Sequence, residues 1–495
     1  FVTQLKFSFD FEQFFPEGDE DLEFFRDFID NFESDDNFML VALVRKDGVF
    51  DSVFLDKVHR FTLAARTLPY VEASQSLTQF SYPLKTPFAI TSIPVIHRNE
   101  PDRYAANRER ILQDERFVHN FINAEATTLV VFLKTTSSMT LEQSREHMAA
   151  LQAALASFDF PEVHLMGRPY FQQELVRMQQ REVIVSALVS GLLVSLVMFL
   201  LFRRLWGIIV SLVSIGLGML LFFGVLGAWG RELNAISALY PVLMIIVGTS
   251  DVIHIMSKYI DELRRGVERE AAIKTTIREI GMATLLTSVT TAVGFATLLT
   301  SKVGPIRDFG LNAALGVLVA YVTVLTFTTC ALSFFQTDQI IKLGKGQAIW
   351  EKLLERCYVF SRTQSRAIAI GALVVAIVCV FGISCITTNY NIINNMPRGE
   401  QITADFQFFE RELSGFRPLE FAIFTQGEYQ ATDYEVLQEM AKIEDYLHDF
   451  PYVRAISSVT AVYKSLNQMH ANNRVDAYHL PETKAEYQRY RRLAD

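Results

Sequence analysis

One carboxylate interrupts an apolar run. Asp251 lies in Tyr240-Pro-Val-Leu-Met-Ile-Ile-Val-Gly248-Thr-Ser250-Asp251-Val-Ile-His254-Ile-Met256. A charge at membrane depth costs about 3 kcal/mol on insertion scales. Its usual chemistry is ion or proton handling; a neutral, hydrogen-bonded structural Asp is the plainer alternative. Desolvation disfavours the charged form, which brings proton exchange toward neutrality. Gly248, Asp251 and His254 recur at i, i+3 and i+6, a spacing that reads as one helix face. His254 is then either a relay or an orienting donor. Ser250 precedes the carboxylate. Four hydroxyls, Thr287, Ser288, Thr290 and Thr291, crowd the next apolar run. They read as a polar path beside Asp251, or as hydroxyls bonded to their own helix carbonyls. Gly248 and Gly294 read as close-packing positions. Pro241 reads as a hinge or as a packing adaptation.

These residues need membrane helices to hold them. Apolar runs at 183–202, 207–229, 235–257, 281–300, 310–335 and 367–387 each have the ~20 residues that span a bilayer. The short loops decide the orientation. Arg203 and Arg204 follow the first span; Lys258, Arg264, Arg265, Arg269, Lys274 and Arg278 follow the third. Lys342, Lys345, Lys352, Arg356, Arg362 and Arg366 follow the fifth, against only Arg231, Lys302 and Arg307 in the opposite loops. The basic loops are therefore expected in the cytoplasm, with residues 1–180 and 389–495 on the far side. Trp350, Leu353, Leu354 and Cys357 form a stripe at helical spacing. It predicts an amphipathic helix, lying on the inner leaflet or packed on the base of the bundle.

Composition narrows the function classes. The net charge of −9 leaves no footprint for nucleic acid. Cys330, Cys357, Cys379 and Cys385 lie in spans or in the cytoplasmic segment, so no disulfide framework is implied. No phosphate-binding loop and no metal-spaced Cys/His set is present, so neither an enzyme nor a cofactor or metal protein is expected. The acidic run Asp19-Glu-Asp21 with Glu23 reads as a solvated helix start or a calcium site. No signal-peptide pattern opens the chain, and its first residue is Phe1, which suggests processing or a fragment.

An internal repeat orders the chain. Pro69-Tyr-Val-Glu-Ala-Ser-Gln-Ser-Leu-Thr78 and Pro451-Tyr-Val-Arg-Ala-Ile-Ser-Ser-Val-Thr460 agree at six of ten positions. Phe15-Pro16-Glu-Gly18 resembles Met396-Pro397-Arg-Gly399, and Phe25 and Phe28 match Phe406 and Phe409. Each copy reads as a βαβ unit: strand 38–44, helix 51–67 and strand 71–79, then strand 419–425, helix 433–449 and strand 453–460. The first copy continues with strand 127–134, helix 140–157 and strand 161–166. Two such units sharing one sheet make a ferredoxin-like domain, with 81–126 as an insertion.

This layout resembles the resistance–nodulation–division (RND) superfamily, nearest to the MMPL-type exporters related to the Patched, Dispatched and sterol-sensing-domain proteins. Gly248-Thr-Ser-Asp251-Val-Ile-His254 is similar to that family's acidic fourth helix. Thr287-Ser288-Val-Thr290-Thr291-Ala-Val-Gly294-Phe295 resembles its Thr/Ser-rich helix, and Gly304-Pro305, Phe309-Gly310 and Gly167-Arg-Pro169 fit as well. Many relatives carry two adjacent acidic or Asp-Tyr residues where this chain has Ser250 and Val252 around Asp251.

The resemblance implies an α-helical polytopic bundle with α+β exoplasmic porter domains, about half of a 12-helix duplicated transporter. The expected parts are a first periplasmic domain (1–180), five spans (181–336), a cytoplasmic amphipathic linker (337–366), a sixth span (367–388) and the start of a second periplasmic domain (389–495). It implies an ion-coupled, proton-driven exporter of hydrophobic or lipid-like substrates in a bacterial inner membrane. Membrane lipids and a homo-oligomer, dimer or trimer, are the implied partners. A lipid-binding, sterol-sensing-like regulator or a scaffold without transport is the alternative.

Overall fold

The computed structural model describes residues 15–32, 37–85, 90–202, 205–335, 347–386, 399–415 and 419–494. The chain divides into two compact units, one of residues 18–178 with 396–495 and one of 1–17 with 179–395.

The first of these units is built on a sheet. Helix α1 (Glu20–Asn31) starts at Asp19, whose carboxylate accepts from the Asp21 and Leu22 amides at 3.1 and 3.2 Å. The acidic run is thus a capped helix start, with Glu20, Asp21 and Glu23 at the positive end of the helix dipole. Strand β1 (Phe38–Val44), helix α2 (Ser52–Ala65) and strand β2 (Val71–Ser76) follow. A hairpin of β3 (Ser81–Lys85) and β4 (Ile90–Pro94) leads to α3 (Tyr104–Leu112). Strand β5 (Thr128–Thr135), helix α4 (Leu141–Phe158) and strand β6 (Glu162–Gly167) complete the order. A reciprocal Thr140/Gln143 box caps α4.

The strands lie in the order β2-β5-β1-β6, antiparallel throughout, with Val41 opposite both Val131 and Leu165. Each helix therefore joins two strands that are separated by one other. Central β1 is fully buried at Val41, Ala42 and Leu43. The abundant Phe has its use here, as Phe61 meets Phe158 and Phe160 edge-on at 5.6 and 5.7 Å. Gly167 ends β6 with φ 149°, and a Cβ there would lie 2.5 Å from the Phe38 carbonyl. Only glycine allows that approach of β6 to β1.

The second copy of the repeat folds differently. It contains α12 (Gln401–Glu412), α13 (Tyr434–His448), α14 (Thr460–His470) and α15 (Lys484–Ala494). Pro69-Tyr70 and Pro451-Tyr452 both occupy turns that follow a helix, α2 and α13. The expected strands 419–425 and 453–460 are not formed: the described residues there are irregular, and α14 begins at Thr460. The physical reason is pairing. Residues 71–76 are a strand because β5 lies beside them, whereas no described segment pairs with 453–458.

The two stretches of this unit meet at a buried polar cluster. Asp405 of α12, 2% exposed, accepts from Tyr170 Oη at 2.7 Å and Gln401 Nε2 at 2.8 Å. His164 of β6 bonds Asp405 through Nδ1 at 2.7 Å and Glu162 through Nε2 at 3.1 Å, and stacks on Phe408 at 3.9 Å. Lys46 pairs with Glu162 at 3.2 Å. Burial lowers the His164 pKa, but the hydrogen bonds that its ring donates to Asp405 and Glu162 outweigh it, so the ring is held above its ordinary value. The His164 hydrogen bond, with help from Lys46, holds the Glu162 carboxyl below its ordinary value.

The other unit is helical. Among the described residues, six helices are long and apolar enough to cross a membrane. They are α5 (Arg168–Phe202), α6 (Leu205–Ala228), α7 (Leu239–Arg264), α8 (Arg269–Ala296), α9 (Gly304–Ser333) and α11 (Ser365–Ser384). Each expected span falls on one of them. Helix α10 (Gln347–Thr363) precedes α11, with Leu353, Leu354 and Cys357 of the expected stripe exposed. Arg203, Arg204, Lys342, Lys345 and Met396-Pro397 lie outside the described residues, as do the side chains of Trp350 and Lys352.

The raised His164 pKa carries a sign. A group whose pKa is raised by folding stabilises fully below its unfolded value of about 6.5 and loses that contribution as pH rises through the folded value. The depressed Glu162 acts oppositely, losing its contribution as pH falls. The melting temperature of the purified protein is therefore expected to fall as pH rises above about 6.5, and His164→Gln is expected to flatten that fall. An unchanged alkaline slope in the variant would remove His164 as its cause.

Candidate functional site

Helix α7 is laid down by its own sequence. Asn234 caps a short 3-10 turn, Ala235–Ala238, that leads into it. Pro241 then sits in the first turn of α7, where a missing N–H costs nothing because no carbonyl waits for it. Pro241 is buried in that turn. Gly248 brings α7 close to two neighbours. A Cβ there would lie 3.1 Å from Ile215 of α6 and 3.7 Å from Val324 of α9.

Asp251 lies one turn further on the same buried side. It is 5% exposed, and its Oδ2 is buried with no hydrogen-bond partner among the described residues. Ile215 faces Gly248, while Gly207 and Ser211 face Met256, so α6 runs antiparallel to α7 along this stretch. Ser211, Ser214 and Thr328 are all fully buried, and Ser214 Oγ lies 3.0 Å from Thr328 Oγ1 across α6 and α9. Tyr321 of α9 donates to the Gly281 carbonyl of α8 at 3.0 Å.

The other residues singled out by spacing are distributed differently. His254 and Ser250 are exposed. Steps of three residues turn 300°, so each step drifts 60° around the helix; Gly248 and Asp251 share a buried side and His254 has left it. Thr287, Thr290 and Thr291 are exposed, and donate to the Thr284, Thr287 and Thr287 carbonyls at 2.9, 2.9 and 2.7 Å. Of the four hydroxyl residues Ser288 alone is buried, at 2% exposure. None of the four makes a hydrogen bond to Asp251. Gly294 is exposed, with open space where a Cβ would stand. Ser211, Ser214 and Thr328 went unnoticed in the sequence. The signal was there: Gly207, Ser211, Ser214 and Gly218 form a small-residue stripe on α6 at the spacing of one helix face.

The model of the MMPL family matches residues 73–356, more than half of the chain. The chain belongs to the MMPL family. It is an RND/MMPL-type integral membrane protein. A putative membrane protein of Methanocaldococcus jannaschii is 28% identical over 155 residues, 31% of this MMPL chain and 39% of the relative. The probable transport protein MmpL12 of Mycobacterium tuberculosis is 21% identical over 253 residues, 50% of this chain and 22% of the relative. Each match thus spans less than half the length of the relative. The matched region contains α6 to α9 and with them Asp251 and its surroundings.

Further along α7 of the MMPL chain, charge is neutralised in pairs. Lys258 bridges Glu262 at 2.9 Å and Glu279 of α8 at 2.5 Å, and Arg265 also reaches Glu262, at 3.2 Å. Asp251 has no such counter-ion among the described residues.

The two glycines separate packing from sequence resemblance. Gly248→Val is expected to lower the melting temperature, at a cost of about 1–3 kcal/mol for overpacking. Gly294→Ala is expected to be neutral or stabilising by up to about 1 kcal/mol, since Ala is the better helix former. Thermal unfolding in detergent distinguishes the two; equal losses would contradict the packing described.

Proposed function

We propose that this MMPL chain is the ion-coupled part of an RND-type exporter of hydrophobic or lipid-like substrates, with the proton as the coupling ion. The observation that carries this reading is Asp251, a carboxylate 5% exposed among apolar helices with one oxygen unpartnered. A purely structural Asp would be expected to have its hydrogen bonds satisfied. One charge crossing 100 mV yields about 2.3 kcal/mol, enough to bias a conformational step. Asp251 is the proton carrier in this reading. Ser288, the buried one of the family-like hydroxyls, is its candidate partner on α8. His254 and Ser250, with Thr287, Thr290 and Thr291, would serve on a face that another element covers.

The strand order β2-β5-β1-β6 supports a ferredoxin-like porter domain. The union of 18–178 with 396–495 in one compact unit supports both segments lying on one side of the membrane, the periplasmic side by the basic-loop asymmetry. The parts 1–180, 181–336, 337–366, 367–388 and 389–495 then read as porter domain, five-span bundle, cytoplasmic linker, sixth span and second porter domain, about half of a duplicated 12-helix transporter. An inner-membrane homo-oligomer in contact with lipids completes the proposal.

Asp251→Asn is expected to insert and express normally while export of a fluorescent lipid-like probe falls to background. Export at the wild-type rate would sink the coupling role and favour a lipid sensor instead.

Sidedness has its own test. Cys330, Cys357, Cys379 and Cys385 are first replaced. Cysteines introduced at Glu109 and Glu428 are then expected to react with an impermeant maleimide outside intact cells, and one introduced at Arg203 is not. Labelling of the Arg203 position from outside would refute the orientation.

A further inference from the structure

A neutral imidazole carries one N–H and a charged one carries two. His164 presents both ring nitrogens to carboxylates, Nδ1 to Asp405 at 2.7 Å and Nε2 to Glu162 at 3.1 Å. Only the imidazolium fills both contacts with a donated hydrogen. The two carboxylates are not equal partners. Glu162 is partly exposed and can turn to Lys46, 3.2 Å away, and to water. Asp405 is buried, and also accepts from neutral donors, Tyr170 Oη at 2.7 Å and Gln401 Nε2 at 2.8 Å. The other charged groups around the cluster are Glu174 and Arg177 of α5, which pair at 2.6 Å, and Glu400, 3.7 Å from Arg177. The side chains of Lys46 and Arg177 are mostly exposed. Among the described residues His164 is thus the one cation held out of water beside Asp405. Without its proton the cluster keeps a buried carboxylate and loses the counter-charge, a loss that burial makes expensive.

This matters because the cluster is a junction. Asp405 is carried by α12, which lays Phe406 and Phe409 in the core and stacks Phe408 on the His164 ring. His164 belongs to β6, the outer strand of the sheet, and Tyr170 to the first turn of α5. The later stretch of the chain has a second polar junction built on a group that stays charged. Arg116 holds Asp114 at 2.8 and 2.6 Å and reaches Ser465 and Gln468 of α14 at 3.1 and 2.8 Å. Its guanidinium lies 4.6 Å from the centre of the Tyr478 ring. An arginine does not lose its proton in a protein.

We propose that His164 is a proton-operated clasp: protonated, it fastens α12 to β6 and to the start of α5 through Asp405, and on losing its proton it lets α12 loosen while α14 stays docked through Arg116. The clasp does not depend on ion coupling in the membrane helices. The raised His164 value places release on the alkaline side. His147, buried on α4 with Nδ1 2.9 Å from the Pro69 carbonyl, has its value lowered by burial and titrates on the acid side, apart from the clasp.

The test uses the whole chain purified in detergent, with Cys330, Cys357, Cys379 and Cys385 replaced. Spin labels at Val53 of α2 and Glu410 of α12 report one distance, and labels at Val53 and Val462 of α14 report another; all three positions are exposed. Pulsed dipolar spectroscopy follows both from about pH 5.5 to about pH 9, either side of the ordinary histidine value of about 6.5. A displaced, broader component is expected in the Val53–Glu410 distribution as pH rises, growing by at most about tenfold per pH unit, the limit for one proton. The Val53–Val462 distance is expected to stay as it is. His164→Gln is expected to show the displaced component at both ends of the range. Asp405→Asn, which leaves no buried charge to compensate, is expected to stay closed at both. A Val53–Glu410 distribution that ignores pH overturns the clasp, as does a pH response retained in either variant. Equal changes in both label pairs report a general loosening and overturn it too. Where His164→Gln folds poorly, Asp405→Asn alone decides.

Discussion

A carboxylate out of water needs something to offset its lost hydration, and much of the helical unit is organised around that need. Asp251 is held by a helix that starts cleanly at Pro241 and comes close to α6 and α9 at Gly248. Close approach excludes lipid and water together, so the polar groups left beside the carboxyl matter individually. Elsewhere on α7 charge is treated in the ordinary way, with Lys258 shared between Glu262 and Glu279. The two stretches of one helix thus differ: one carries a paired ionic cluster, the other a buried carboxylate without a counter-ion among the described residues.

The sheet-bearing unit obeys a different constraint. Its core is closed by Phe61, Phe158 and Phe160 on one set of contacts and by the glycine-permitted approach of Gly167 to β1 on another. The later segment of the chain is joined to it through polar contacts as well as apolar ones. Asp405 receives hydrogen bonds from Tyr170 and Gln401 and binds His164, while Arg116 reaches Asp114, Ser465 and Gln468. Buried polar connections of this kind are costly when incomplete, which makes them sensitive points in the fold. His164, with carboxylates on both ring nitrogens, is the clearest of them.

Motif resemblance and packing partly diverge in the membrane helices. The Thr/Ser-rich string on α8 is the most family-like stretch, yet Thr287, Thr290 and Thr291 face outward and satisfy their own helix. Gly310, from the Phe309-Gly310 pair, has an evident packing role: a Cβ there would lie 2.6 Å from Leu298 Cβ and 2.7 Å from the Phe295 carbonyl. Gly294 in the same string meets nothing. A motif can thus combine positions needed inside this unit with positions that face away from it.

The amino-acid sequence by itself determined the six spans, the order of strands and helices in the first copy of the repeat, and the carboxylate that interrupts the apolar run of α7. These are one-dimensional properties: hydropathy over ~20 residues, periodicity and the presence of a charge where none is cheap. Tertiary structure alone decided which side chains meet. His254 left the Asp251 face because three-residue steps drift around a helix, a rotation that becomes visible only once neighbours bury one side. Ser214 and Thr328 met because α6 packs on α9, which brings their hydroxyl oxygens to 3.0 Å although they lie far apart in the chain. Residues 453–458 stayed irregular although their sequence repeats that of β2, because a strand is a property of a pair and its partner lies elsewhere in the chain.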